Sequence, residues 1–386
     1  MNDVIELVRN KPMFSEKGNL EELLVIDKFP VFIGTTKDQL NNDIFTELAF
    51  DIDQSNGIIQ LRRPLKHSIV YSYYHSEALG TTWDEHREMF SEFINNDYKN
   101  ILDIGGSSGS LAKQHISKYD SYWTIIDPNI LKAKGQNNRI EYIEGLIEEK
   151  PEKLKYKDAI VHSHTLEHIY DPIKFLYTLT KNLKIGTTQI FSIPNFQAYL
   201  ENNQSNVLNF EHTYLLTENL TDVLLNVFGF EISKKYYFKN HSIFYKSVLN
   251  KPNLENINKK IEEKISNDYL KNKKNFIQSF NKIENLIRDF HKLQKENKES
   301  QCFIFGAHIF SQIFYFKGIN FNLIKNVLDN SELKENTRLY GTNWFVKKPE
   351  VLSSFKNPIL ILNVGQYQDE VKSQILKINP TTLIVE

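Results

Sequence analysis

The stretch ILDIGGSSGSLAKQHI, residues 101–116, runs an apolar segment into Asp103, packs glycines and serines behind it, and then turns amphipathic. A strand ending in an acid, a tight turn and a helix is the opening unit of a parallel α/β sheet, whose ligands lie beyond the carboxyl ends of the strands. Outward from it, residues 99–248 alternate short apolar runs with helical stretches: NILDIGG, SYWTIIDP, IEYIEG, DAIVHSH and TQIFSIP. Two further strand-like pieces, FGFEISKKYYF and HSIFYKSV, lie close enough for an antiparallel hairpin that finishes the sheet. The expected fold is α/β, with a doubly wound, mostly parallel sheet at its centre.

The whole chain has 386 residues, enough for more than one core. Its formal net charge of −1 provides no global field to recruit nucleic acid or an anionic membrane surface, and neither is expected as a partner. Cys302 is the lone cysteine, which excludes a disulfide framework and a cysteine-based zinc site. The opening MNDVIELVRNK lacks an apolar segment of signal-peptide length, and no run of about 18 apolar residues occurs. A soluble, cytoplasmic protein is expected.

Residues 1–90 show no clear period and read as an irregular N-terminal module with strand-like pieces, FPVFIG and GIIQLRR, that ends in the Tyr-rich IVYSYYHSEALG. The central α/β domain is placed at 91–250. Over 251–300, Leu254, Ile257, Ile261 and Ile265, then Phe276, Phe280, Ile283, Ile287, Phe290 and Leu293 recur at helical spacing. These residues predict a helical linker packed on a neighbouring domain; a coiled-coil homodimer seam is the alternative. A second alternation, from CFIFGAH to TTLIVE, predicts a smaller α/β domain at 301–386.

The glycine turn restricts its ligand. A dinucleotide fingerprint needs G-x-G-x-x-G, and Gly105, Gly106 and Gly109 do not supply that spacing. No Gly-Lys-Ser/Thr closes the turn, so a P-loop is excluded. What remains is Asp103 ending one strand, a glycine-rich bend, and Asp127 ending the next strand, where an acid can accept hydrogen bonds from two ribose hydroxyls. The reading is a nucleoside without a pyrophosphate.

This arrangement resembles the class I S-adenosylmethionine methyltransferases. The resemblance implies a Rossmann-like domain in which Asp103, Gly105 and Gly109 line the amino-acid tail of S-adenosyl-L-methionine and Asp127 holds its ribose. It also places Glu144, Gly145 and Leu146, in EYIEGLIEE, near the adenine, with His164 on the cofactor side of its loop. DAIVHSHTLEHIYDPIKFL matches the family's fourth segment, with His168 at the substrate-facing position. The layout outside this domain is similar to the three-part sugar methyltransferases that act on nucleotide-linked deoxysugars, through NVLDN, LYGTNW and NVGQYQDE. That likeness implies a nucleotide-linked sugar as substrate, and a role in polysaccharide or deoxysugar biosynthesis. It also implies that Tyr73, Tyr74 and His75 close over the sugar while Gly306, His308, Asn363 and Glu370 hold the sugar nucleotide. The four N-terminal zinc cysteines of the best-known members are missing. Where those members carry H-E-H-x-x-Y, this chain reads FEHTY at residues 210–214.

Transfer of a methyl group from a sulfonium is an in-line displacement, so the protein must align acceptor, methyl and sulfur, and a hydroxyl acceptor needs a base. His212 is the expected general base, oriented by Glu211, with His168 as second catalytic candidate; His162, inside its strand, reads as a core residue. Three histidines and an acid can also bind a metal, but these spacings lack the i, i+4 pairing of helical metal motifs, so no metal site is expected. The expected reaction is O-methylation. C-methylation of a 4-keto nucleotide sugar, and a non-catalytic nucleoside or sugar-nucleotide binding protein, are the alternatives.

Overall fold

A computed structural model of the chain describes residues 4–71, 81–130, 137–202, 204 and 207–386. Its N-terminal part contains β1 (Leu20–Pro30), β2 (Thr35–Thr36), β3 (Phe45–Asp53) and β4 (Ile59–Leu61), followed by the single turn α1 (His67–Val70). Strands β1, β3 and β4 form an antiparallel sheet in that order, where the sequence suggested irregular chain. Register shifts between Glu22 and Leu24 and between Ile26 and Phe29 break the period-two alternation of β1, and with it the signal by which a strand is read.

Next comes α2 (Thr81–Ile94), then β5 (Asn100–Ile104), α3 (Ser110–Lys118), β6 (Tyr122–Asp127), β7 (Ile140–Glu144), β8 (Ala159–Ser163), α4 (Pro172–Asn182), β9 (Thr188–Pro194), α5 (Phe196–Glu201), α6 (Glu218–Val227), β10 (Phe230–Phe238) and β11 (Ser242–Leu249). Their seven strands make one sheet in the order β10-β11-β9-β8-β5-β6-β7. Strands β5 to β9 are parallel; the hairpin β10–β11 joins β9 antiparallel, as its proximity in sequence predicted. Such strands are covered on both faces and read as continuous apolar runs, which is why β5, β6 and β8 were legible. Local chemistry starts the helices. Asp171 caps α4 by accepting from the Lys174 N–H at 2.9 Å, with Pro172 behind it, and Thr217 caps α6. Phe90, Phe93 and Ile94 of α2 share a core with Ile101, Leu111 and Trp123, so this helix packs on the seven-stranded sheet.

The chain continues through α7 (Ile257–Lys264) and α8 (Tyr269–Glu296) into β12 (Cys302–Phe305), α9 (Ile309–Phe316), β13 (Ile324–Leu328), β14 (Arg338–Leu339), β15 (Val346–Lys347), β16 (Ile359–Leu362), α10 (Gln368–Ile378) and β17 (Leu383–Val385). Strands β15-β13-β12-β16-β17 form a second parallel sheet. The apolar face of α8, with Phe276, Phe280, Ile283 and Phe290, is buried inside the chain and touches both this sheet and β1 and β3. These side chains are covered by the chain's own packing.

The N-terminal and C-terminal parts are tied directly. β2 pairs with β14, and Arg338 makes a two-pronged ion pair with Asp43 at 2.6 and 2.8 Å, with side chains 6% and 0% exposed. Asp43 also accepts from the Gly341 N–H. Near the other sheet, the Tyr367 hydroxyl meets the Thr82 hydroxyl at 2.6 Å, linking α10 to α2.

Candidate functional site

The strand order reverses beside β5, whose neighbours β6 and β8 lead to opposite halves of the sheet; the crevice at that reversal is where an open α/β sheet binds its ligand. The glycine turn lies there. Gly105 (φ +76°) and Gly109 (φ +77°) occupy the left-handed region, and Gly109 leads directly into α3. Space is as demanding as backbone: a Cβ on Gly109 would stand 2.5 Å from the Tyr142 hydroxyl, and one on Gly105 2.7 Å from Thr165 Oγ1. Any side chain at Gly106 would strike the Asp103 carboxylate, at 2.4 Å. The turn is braced from outside by Thr165 on the Ile104 carbonyl, and by Lys113 and Tyr142 on the Ser108 carbonyl.

Two acids face this turn. Asp127 ends β6; its Oδ2 accepts the Ser107 N–H at 3.0 Å and its Oδ1 the Asn129 N–H at 2.7 Å. A carboxylate at the end of a strand beside such a turn is the group type that accepts hydroxyl donors. Asp103 is 1% exposed and its Oδ2 is buried with no hydrogen-bond partner among the described residues. Burial, and then the neighbouring Asp127, push its carboxyl up to about 8. An unpaired buried carboxyl beneath a turn closed to side chains is a seat for a cationic group. Glu144 ends β7, opposite Asp127 of β6, and Gly145 and Leu146 follow it.

On the other side of β5, the loop after β8 collects the acceptor candidates. His168 and His212 meet edge to face with ring centroids 5.2 Å apart, and Phe196 packs on His212 at 5.0 Å. His212 Nδ1 lies 2.7 Å from the Val207 carbonyl; a carbonyl only accepts, so Nδ1 carries the proton and Nε2 has the lone pair. The orienting partner expected from sequence was Glu211. The structure gives that part to the Val207 carbonyl and to Asn209, which accepts the backbone N–H groups of both Glu211 and His212. Glu167 is the acid that approaches the histidines instead. It is 0% exposed, with Oε1 3.5 Å from His164 Nδ1 and 3.7 Å from His168 Nε2, and burial raises its carboxyl above the ordinary range.

Other candidates sort clearly. His162 is fully buried and stacked on Phe191, a core residue as expected. His164 departs from expectation: at φ +50° it turns to the Ser242 hydroxyl, 2.9 Å away on β11, which lies beyond β9 and away from Asp127. It therefore does not stand on the cofactor side. Tyr73, Tyr74 and His75 lie outside the described residues. Tyr71, which sequence reasoning passed over, links both sides: its carbonyl accepts from Asn129 beside Asp127, and its hydroxyl lies 3.4 Å from His168 Nδ1. Only its place at the head of the same Tyr-rich run pointed to it.

In the C-terminal sheet, Gly306 (φ +97°), Asn363 and Asp329 all follow strands at the carboxyl edge. Asp329 accepts the Ala307 N–H at 2.9 Å, repeating the acid-to-turn bond of Asp127. His308 is exposed at the start of α9, beside Gly306. Glu370 is exposed on α10 and does not join the group. Between the two sheets lies a cavity of about 350 Å³ lined by Tyr199, Lys239, Asn240, Lys282, Asn363 and Gln368, among others.

Residues 74–235 match the model of a methyltransferase domain family. No match is found among curated protein sequences. Similar solved structures include human N-acetylserotonin methyltransferase in complex with S-adenosylmethionine, at 18% identity over 44% of this chain and 53% of that one (TM-score 0.37). An S-adenosylmethionine-dependent methyltransferase from Mesorhizobium loti is 15% identical over 44% and 98% (TM-score 0.35). A 1,6-didemethyltoxoflavin N1-methyltransferase from Burkholderia thailandensis is 12% identical over 44% and 79% (TM-score 0.35). Residues 74–235 therefore carry a methyltransferase domain, and the glycine cradle with the buried Asp103 carboxyl fits S-adenosyl-L-methionine as the cofactor.

Proposed function

We propose that this methyltransferase acts on a hydroxyl of a nucleotide-linked sugar, with His212 as general base. The cofactor supplies an electrophilic methyl on a sulfonium. Asp103, Gly105 and Gly109 hold its amino-acid tail, Asp127 its ribose hydroxyls, and Glu144, Gly145 and Leu146 border its adenine. The observation that carries the reading is the hydrogen bond from His212 Nδ1 to the Val207 carbonyl, which fixes the tautomer whose Nε2 takes a proton. As the acceptor oxygen attacks, His212 becomes cationic. The buried Glu167, with a carboxylate oxygen within 4.8 Å of a His212 ring nitrogen, stabilises that charge in a low-dielectric pocket. Glu211 and His308 are assigned polar contacts to the substrate.

The nucleotide end is assigned to the carboxyl edge of the C-terminal sheet, at Gly306, His308 and Asn363. A polar cavity carrying Lys239 and Lys282 adjoins this edge and suits an anionic, hydroxylated ligand. The setting proposed is polysaccharide or deoxysugar biosynthesis. Mass spectrometry of the protein incubated with S-adenosylmethionine and a panel of nucleotide-linked sugars tests it. The gain of one methylene on a fully hydroxylated sugar is the expected result. A gain confined to 4-keto sugars transfers the reaction to carbon, and no gain on any sugar refutes the substrate class.

A further inference from the structure

Three histidines distant in sequence meet on the far side of the acceptor loop: His86 on α2, His164 after β8, and His241 in the turn between β10 and β11. One ring nitrogen of each lies within 4.8 Å of the others. Their ring centroids are 5.1, 5.6 and 5.7 Å apart. With metal–nitrogen bonds of about 2.0–2.1 Å and tetrahedral angles, three coordinating imidazoles have centroids roughly 5.3 Å apart. We propose that His86, His164 and His241 form a binding site for a divalent transition metal of the zinc class.

The surroundings are those of a ligand set. His86 is 1% exposed and its Nε2 has no hydrogen-bond partner among the described residues. His164 Nε2 and His241 Nδ1 both point at one atom, the Ser242 hydroxyl, at 2.9 and 2.5 Å, so two rings already converge. Glu167 stands 3.5 Å from His164 Nδ1 with both carboxylate oxygens lacking hydrogen-bond partners. A carboxylate behind a ligating imidazole is the arrangement that orients the ring and offsets the metal's charge. Trp83 packs on all three rings, with centroids 4.6–5.3 Å away, and closes the cluster. A metal here pins α2 to the end of β8 and to the β10–β11 turn. Sequence spacing excluded a helical metal motif, and this one is assembled from three elements instead.

A second cluster, Glu167, His168 and His212, also offers three ligand atoms within 4.8 Å, so the experiment must separate the two. Full-length protein is stripped with a chelator and titrated with Zn²⁺ alone and with Co²⁺ alone, following bound metal by mass spectrometry, thermal stability, and the visible Co²⁺ band of tetrahedral nitrogen coordination. The expected result is one equivalent bound with a raised melting temperature. His86→Ala is expected to lose the Co²⁺ band and His212→Ala to retain it. Because His86 packs against Phe90 and Phe244 and its removal threatens folding, His241→Gln provides an independent reading, and Glu167→Gln weakens affinity about 10- to 100-fold. Absence of stoichiometric binding overturns the proposal. So does binding that survives the folded His241→Gln variant or disappears in His212→Ala.

Discussion

Asp127 accepts the backbone N–H of Ser107 at 3.0 Å, tying the end of β6 to the glycine turn after β5. The same carboxylate is proposed to hold the cofactor's ribose, so one side chain shapes the turn and binds the ligand. Hydrogen bonds to a charged group contribute about 1.5–3 kcal/mol, so Asp127→Ala should weaken S-adenosylmethionine binding roughly 10- to 100-fold. Calorimetry checks this, with circular dichroism confirming the fold; unchanged affinity removes the ribose assignment.

Asp103 predicts a proton linkage. Its carboxyl is raised to about 8 in the ligand-free fold, so the native state holds a proton there that the unfolded chain releases near pH 4. Stability from this group therefore falls as pH rises from about 4 to about 8, and levels above that. A cationic amino group seated on Asp103 expels the proton. Cofactor binding at pH 7 should thus release a proton from this site, measured by calorimetry in buffers of different ionisation enthalpy, and Asp103→Asn should abolish that release.

Gly109→Ala places a Cβ against the Tyr142 hydroxyl and Ile125 in a left-handed backbone. Strain of this kind costs about 1–3 kcal/mol. The expected result is a lower unfolding midpoint in urea together with weaker cofactor binding. A variant as stable as the parent would show that the turn tolerates side chains.

Asp43→Ala leaves the Arg338 guanidinium buried without its ion-pair partner. Removing one member of a buried pair is destabilising by about 3–5 kcal/mol. Denaturant unfolding should show this loss, and limited proteolysis should open the junction of β2 and β14 first.

The catalytic half of the fold was readable because its signals are local: buried parallel strands are apolar runs, and Gly105, Gly109 and Asp127 sit at fixed offsets from β5 and β6. The N-terminal sheet was legible only in strand-like pieces, since β1 carries Glu21, Glu22, Asp27 and Lys28 and is broken by two register shifts. At the acceptor side, the sequence located His168 and His212 but paired His212 with its chain neighbour Glu211. The contact that orients the ring comes from a backbone carbonyl, Val207, which no side-chain pattern encodes. His164 was misplaced for a similar reason: a left-handed φ reverses its direction, and its companions His86 and His241 come from α2 and the β10–β11 turn.

The most direct test of the account is the turnover of His212→Ala on the sugar nucleotide that the substrate panel identifies, measured beside its affinity for S-adenosylmethionine. General-base catalysis contributes about 10²- to 10⁴-fold, so kcat should fall by that factor while cofactor affinity holds. A His212→Ala enzyme with the parent's kcat would contradict the account.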